Sequence, residues 1–135
     1  MTALSPELAI QEAIFQRASA DSGLEALDAG VFDFVPEGQR RPYVVVGEMF
    51  STPDNAHGTF GWTTIATLSI WSEQRGFREA HEIKQRLIEL FDHQPLTVGG
   101  FHHVETRFEF SQTMRDPDPK LRRALLRLRV ATEQE

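Results

Sequence analysis

The chain of 135 residues contains no cysteine. Disulfides, thiolate-bound zinc and cysteine nucleophiles are therefore excluded, and the lack suits a reducing cytoplasm. No apolar run approaches the ~18–20 residues of a membrane span, so no membrane partner is expected. The opening stretch MTALSPELAIQEAIF carries Glu7 and Glu12 and has no basic leading segment, so it does not read as a secretory signal. Positive charge is also in deficit: 14 Lys and Arg against 20 Asp and Glu give a net charge of −6. That balance argues against duplex nucleic acid as the main partner, while leaving room for a local basic strip. What the chain has instead is bulk. Ten phenylalanines, two tryptophans and a 40% apolar fraction suit one globular domain, residues 1–135, built on one core.

Catalytic motifs are absent or broken. His81-Glu82 begins like a zinc-protease HExxH, but position 85 is Gln, so the second ligand on that helix face is missing. His102 and His103 are adjacent on an expected strand and point to opposite faces, which prevents joint chelation. His57 and His93 fall in polar loops. Gly99-Gly100 precedes a strand rather than a helix and so fails the phosphate-loop pattern. No GxSxG elbow and no obvious acid–base couple occurs. No residue is therefore assigned to catalysis, a metal or a cofactor, although active sites also assemble from distant segments.

Ser5, Pro6 and Glu7 signal a helix start, with Ser5 as N-cap. Leu8, Ile14, Phe15 and Ala18 form its expected buried stripe, and LEALDAG (24–30) reads as a short helical turn ended by Gly30. After a loop over 35–42 come two β-rich runs, 43–50 and 61–72, joined by the polar loop 51–58. Residues 77–92 place Phe77, Ala80, Ile83, Leu87, Leu90 and Phe91 on one helical face. Two runs of period-two alternation follow, 102–114 and 120–132. In the first the even positions Val104, Phe108, Phe110 and Met114 are apolar; in the second Ala124, Leu126, Leu128 and Val130. The sum is an α+β fold: an antiparallel four-stranded sheet of two hairpins, with two main helices packed on one face.

The stretch MRDPDPKLRR (114–123) lies between the last two strands, which makes it a hairpin turn rather than a DxD metal site: no converging acids accompany it. Pairing with both even sets inward sets Glu105 and Glu109 opposite or diagonal to Arg127 and Arg129. The second face of the sheet is mixed rather than polar. Ile65 and Trp71 point away from the core set Trp62, Ala66, Leu68 and Ile70, and 43–50 is apolar on both sides, with Val44 and Val46 opposite Tyr43, Val45 and Met49. Two explanations stand: local cover by the 30–42 loop, or a subunit interface. The candidate interface comprises Val44, Val46, Ile65, Trp71, Arg107, Arg127 and Arg129. The loop residues Pro53, Asp54 and Asn55 and the turn residues Asp116 and Asp118 are candidates for contacts with partner proteins.

The order helix, hairpin, helix, hairpin, with VPEGQRRPYVVVGE (35–48), LSIWSEQRGFREAHEIKQRLIELFD (68–92) and FSQTMRDPDPKLRRALLRLRV (110–130), resembles the tail terminator, or tail completion, proteins of long-tailed bacteriophages and gene transfer agents. The resemblance runs from about Leu8 to Thr132; Pro119 stands where the family usually has glycine. It implies a structural virion protein, assembled as a ring of six on the end of the tail tube. The ring stops tube growth and offers a surface to the head-completion or stopper protein, and DNA transits its lumen without sequence-specific binding. Two other classes compete on the residues alone. One is a small dimeric α+β ligand-binding or enzymatic domain, which requires a pocket with converging polar groups. The other is a nucleic-acid binder using Lys120, Arg122, Arg123, Arg127 and Arg129, although alternation sets Arg122 on the opposite face from Arg123, Arg127 and Arg129.

Overall fold

The computed structural model describes residues 2–56 and 58–135. The elements are α1 (Glu7–Ser19), α2 (Ser22–Ala26), β1 (Gly30–Phe32), β2 (Tyr43–Pro53), β3 (Gly61–Ser72), α3 (Arg78–Phe91), β4 (Phe101–Arg115) and β5 (Arg122–Gln134). The class is α+β, and both expected hairpins form. The sheet, however, has five strands in the order β1-β2-β3-β5-β4. It is mixed, because β1 runs parallel to β2 with Gly30 opposite Tyr43. Three residues are too few for a period of two to show in sequence, which is why β1 escapes a pattern reading.

The centre of the sheet is the β3–β5 pair, in register from Gly61↔Glu133 to Ser72↔Arg122 without a shift. Ala66, Leu68 and Ile70 face the same core as Ala124, Leu126, Leu128 and Val130, and all seven are fully buried. Helix α3 covers this pair with Ala80, Ile83, Leu87 and Phe91, as its spacing predicts. Helix α1 lies over β1 and β2. Its buried stripe is Ile10, Ala13, Ile14 and Ala18, so the expected stripe is corrected: Leu8 is 68% exposed and Phe15 is also exposed. The reason is Arg17, which completes the i, i+3, i+4, i+7, i+8 set as a cation. It turns inward over the Phe91 ring at 5.8 Å and donates to the carbonyls of Leu90 and Pro95. The helix starts one residue later than expected, after Pro6, with the Glu7 amide 3.4 Å from the Ser5 hydroxyl.

Bulges change three other expectations. The β2 register shifts between Val46 and Met49. Val44 (0% exposed) and Val46 (4%) therefore share the core with Met49, opposite Ile70 and Leu68, while Tyr43 and Val45 turn to the other face. Val44 and Val46 are sealed from any partner in this fold and leave the candidate interface. Strand β4 shifts twice, between His103 and Glu105 and between Phe108 and Phe110. Each shift consumes a residue and inverts the parity. Of the four even residues expected inside, only Phe108 packs against the core; Val104 and Phe110 are exposed, and Met114 stands opposite Arg123 on the second face. The Phe108 amide at the second bulge donates instead to Asp92 Oδ1 at 2.7 Å, which ties the end of α3 to the strand.

The β3–α3 junction is held by side chains. The Ser72 hydroxyl donates to Glu79 at 2.6 Å and accepts from the Gln74 amide, while Gln74 Oε1 accepts from the Glu79 amide at 3.0 Å. The helix thus gains an acceptor for one first-turn donor, the Glu79 amide, where no N-cap side chain supplies one. Asp21 does two jobs nearby. It caps α2 by accepting from the Leu24 amide at 2.9 Å, and it receives Arg86 of α3 through Nε at 2.8 Å and Nη2 at 2.6 Å. Gly23 makes room for this fork, since a Cβ there would lie 2.4 Å from Arg86 Nε.

Two predictions follow from these contacts. The Arg86 bonds hold the Asp21 carboxyl below its ordinary 3.8, against the opposing effect of burial. A depressed folded value means stabilisation that is complete above pH ~4 and lost as pH falls through the lower folded value. Asp21→Asn keeps a capping oxygen but removes the charge. It should flatten the acid limb of a stability-versus-pH curve measured by urea melts, whereas Asp21→Ala should also lose the cap, at a cost of about 1 kcal/mol. At the β2–β3 tip, a Cβ on Gly61 would meet the Asp54 carbonyl oxygen at 2.2 Å, and that backbone also closes the loop through Asp54 N–H to Gly61 O at 2.8 Å. Gly61→Ala should cost about 1–3 kcal/mol and speed proteolysis within 54–60.

Candidate functional site

Both long helices cover one side of the sheet and leave the other without a helix. The uncovered side follows from the register. Its cross-strand rows are Tyr43–Trp71–Arg123–Met114, Val45–Ser69–Leu125–Gln112, Thr67–Arg127–Phe110, Phe50–Ile65–Arg129–Arg107 and Thr52–Thr63–Ala131–Glu105. Five of the sequence-derived candidates, Ile65, Trp71, Arg107, Arg127 and Arg129, therefore come together on one surface. Arginines alternate on it with large apolar groups. Arg123 stacks over Trp71 at 4.9 Å, and Arg127 over Phe110 at 5.4 Å.

The electrostatics are uneven across this surface. Arg107 and Arg129 stand directly opposite each other, a repulsive placement. Glu105 relieves it by bridging to Arg107 at 3.2 Å and Arg129 at 3.7 Å. The expected Glu105–Arg129 pairing thus forms; Glu109 falls in the second bulge and joins no ion pair among the described residues. Arg123 and Arg127 likewise join none among the described residues. A guanidinium stacked on a ring keeps its N–H edge open to a carboxylate or phosphate; Arg127 is exposed in this way, whereas Arg123 donates one N–H to the Ser69 hydroxyl at 3.2 Å and buries its Nε. Arg122 stands on the helix side, over Phe77 at 5.8 Å, as its parity predicts.

The 30–42 segment covers only one corner. Phe32 meets the Tyr43 ring edge-on at 6.0 Å, and Arg41 lies over the same ring while pairing with Glu73, so Tyr43 is buried. Elsewhere on the face Ile65 and Ser69 are buried beneath their neighbours, while Phe50, at 57%, and Arg107, Phe110 and Arg127 are exposed. Sequence reasoning did not reach Phe50 and Phe110 as members of this surface, because the bulges that turn them outward leave no mark in an alternation pattern.

The loop candidates sit at the two ends of the sheet. Pro53, Asp54 and Asn55 lie at the β2–β3 tip, where Asn55 Oδ1 accepts from the Gly61 amide at 3.2 Å. Asp116 and Asp118 lie at the β4–β5 tip and fold it: Asp116 accepts from the Asp118 amide at 3.0 Å, and Asp118 from the Lys120 amide at 2.9 Å. The turn reading of DPDP holds. No group of three or more His, Asp or Glu among the described residues is placed to hold a metal.

The histidines are scattered. His81 is exposed beside Glu82, which pairs with Arg78 at 2.9 Å. His102 and His103 point to opposite faces. His103 accepts from the Leu96 amide at Nδ1 and contacts the Thr106 hydroxyl at 2.6 Å through Nε2. Burial, then the nearby charges of Arg17 and His102, lowers its pKa. His103 is thus a neutral clamp between the α3–β4 connection and β4. His57 lies outside the described residues.

Comparison with known proteins gives the family and a shared fold. A curated relative, tail completion protein gp17 of Bacillus phage SPP1, is 28% identical over 88 residues, a stretch that spans 65% of this chain and 65% of the relative. A chain in a solved structure of the virion of a native gene transfer agent particle has the same fold, with a TM-score of 0.89 over 97% of this chain and 99% of that one at 24% identity. The model of the family described as "Tail completion protein gp17", a family of virion tail components rather than enzymes, matches residues 12–133, and the chain belongs to that family.

Proposed function

We propose that this chain is a structural virion protein whose copies form a ring, six by the family resemblance, on the last ring of the tail tube. There it ends tube growth and offers a surface to the head-completion or stopper protein, while DNA passes through the lumen. One observation carries this reading. The two hairpin tips lie at opposite ends of the sheet, since Gly61 pairs near the C-terminal end of β5 and Ser72 near its start. Twelve residues of β3 separate them by about 40 Å at ~3.3 Å per residue. One subunit thus presents two distinct polar tips, one for each rim of a ring. Pro53, Asp54 and Asn55 serve one rim, and Asp116 and Asp118 the other.

Family membership and the likeness to a gene transfer agent virion chain support the reading. So does the helix-free face, which gives each copy a large surface for a neighbour. The net negative charge suits a channel that must let DNA pass without holding it.

The test is absolute mass by light scattering across a concentration series, followed by electron microscopy after addition of tail tubes. A species near six chains, or rings seated on tube ends, is the expected result; a stable dimer indifferent to tubes supports the ligand-binding alternative instead. At the rim, Asp116→Asn with Asp118→Asn keeps the turn oxygens and removes both charges. It should leave ring formation intact and reduce joining at one end of the tail, scored by complementation with tailed and untailed heads counted in micrographs. Normal joining removes these two residues from the contact.

A further inference from the structure

The side of the molecule opposite the arginine-bearing face has the complementary character. Residues 7–33 hold Glu7, Glu12, Asp21, Glu25, Asp28 and Asp33 against the single cation Arg17. That cation is spent inward on the Leu90 and Pro95 carbonyls. Asp21 is spent on Arg86. Glu12, Glu25 and Asp28 remain exposed and join no ion pair among the described residues. Beside Glu12 the exposed apolar residues Leu8 and Phe15 line up along the outer side of α1, with no internal partner surface. The two sides thus match in kind. Arg123 and Arg127 stand with Trp71, Phe110 and Phe50 on one; Glu12, Glu25 and Asp28 stand with Leu8 and Phe15 on the other.

We infer that the occupant of the helix-free sheet face is the α1–α2 layer of a second copy of this chain, joined head to tail. This rests on the ring reading above and names its two mating surfaces. Charge complementarity with central apolar contacts sets register and orientation. Because the patches differ, the contact is heterologous and each copy keeps one of each free for the next, as a closed ring requires. A nucleic acid could use the same stacked arginines, but it would leave the acidic apolar layer without a partner.

The test uses two double variants of exposed or half-exposed residues: Arg127→Glu with Arg129→Glu, and Glu12→Arg with Glu25→Arg. Self-association is read by sedimentation at low and high salt, and by ring counts on tube ends if the wild type closes only there. Wild-type association should weaken with salt, and each variant alone should associate about tenfold more weakly or worse. An equimolar mixture should recover it, because the acidic layer of one variant meets the intact arginines of the other, and the two reversed patches meet each other. Recovery also shows that both variants fold. If both variants assemble as the wild type does, the inference falls while the ring reading stands. If the wild type forms no ring even on tubes, both fall. If the mixture stays unassembled and the wild type instead binds DNA with a steep salt dependence lost in the arginine variant, the face belongs to nucleic acid and the inference is overturned.

Discussion

The unbroken pairing of β3 with β5 is the constraint on which the remaining structure depends. Both strands are sealed on the helix side by seven fully buried apolar residues, and their ladder carries no irregularity. A one-residue slip would carry Leu68, Ile70, Leu126 and Leu128 to the open face, so the register is fixed by burial itself. Everything peripheral is allowed to be irregular because this pair is not. The bulge in β2, the two in β4 and the three-residue parallel strand β1 all lie outside it, where a broken ladder bond can be replaced by a side chain such as Asp92.

This division explains what the amino-acid pattern conveys. Ala124, Leu126, Leu128 and Val130 alternate cleanly and are buried as written, and the 61–72 strand is legible to the residue. Helix α3 is equally plain because one apolar face meets one flat sheet. Helix α1 is not, since its fourth inward position is Arg17, a cation that satisfies itself on main-chain carbonyls and stacks on Phe91. A pattern read by polarity assigns such a residue to solvent and rotates the helix accordingly. Val44 and Val46, and later Phe110 and Met114, are misassigned for a different reason: a bulge shifts parity without changing composition.

The open face was legible as an excess of apolar residues, while its arginine stacking was not. Only the register sets Arg123 beside Trp71, 52 positions away, and Arg127 beside Phe110, 17 positions away across the bulged β4–β5 hairpin. The same holds for the acidic layer opposite, whose character depends on Arg17 turning inward. Net charge alone described a moderately acidic chain; the fold divides that charge into two unlike sides.

The spacing of the two hairpin tips has a consequence for how such a sheet can change its length. Because side chains alternate in direction, a strand pair lengthens without exchanging its inside and outside only in steps of two residues in each partner. The molecule therefore behaves as a spacer with a quantised span, in increments of about 6–7 Å. β5, shared between two neighbours, would have to lengthen together with both β3 and β4. A change in reach thus demands simultaneous insertions in three segments of the gene, whereas a change at one tip involves a single segment.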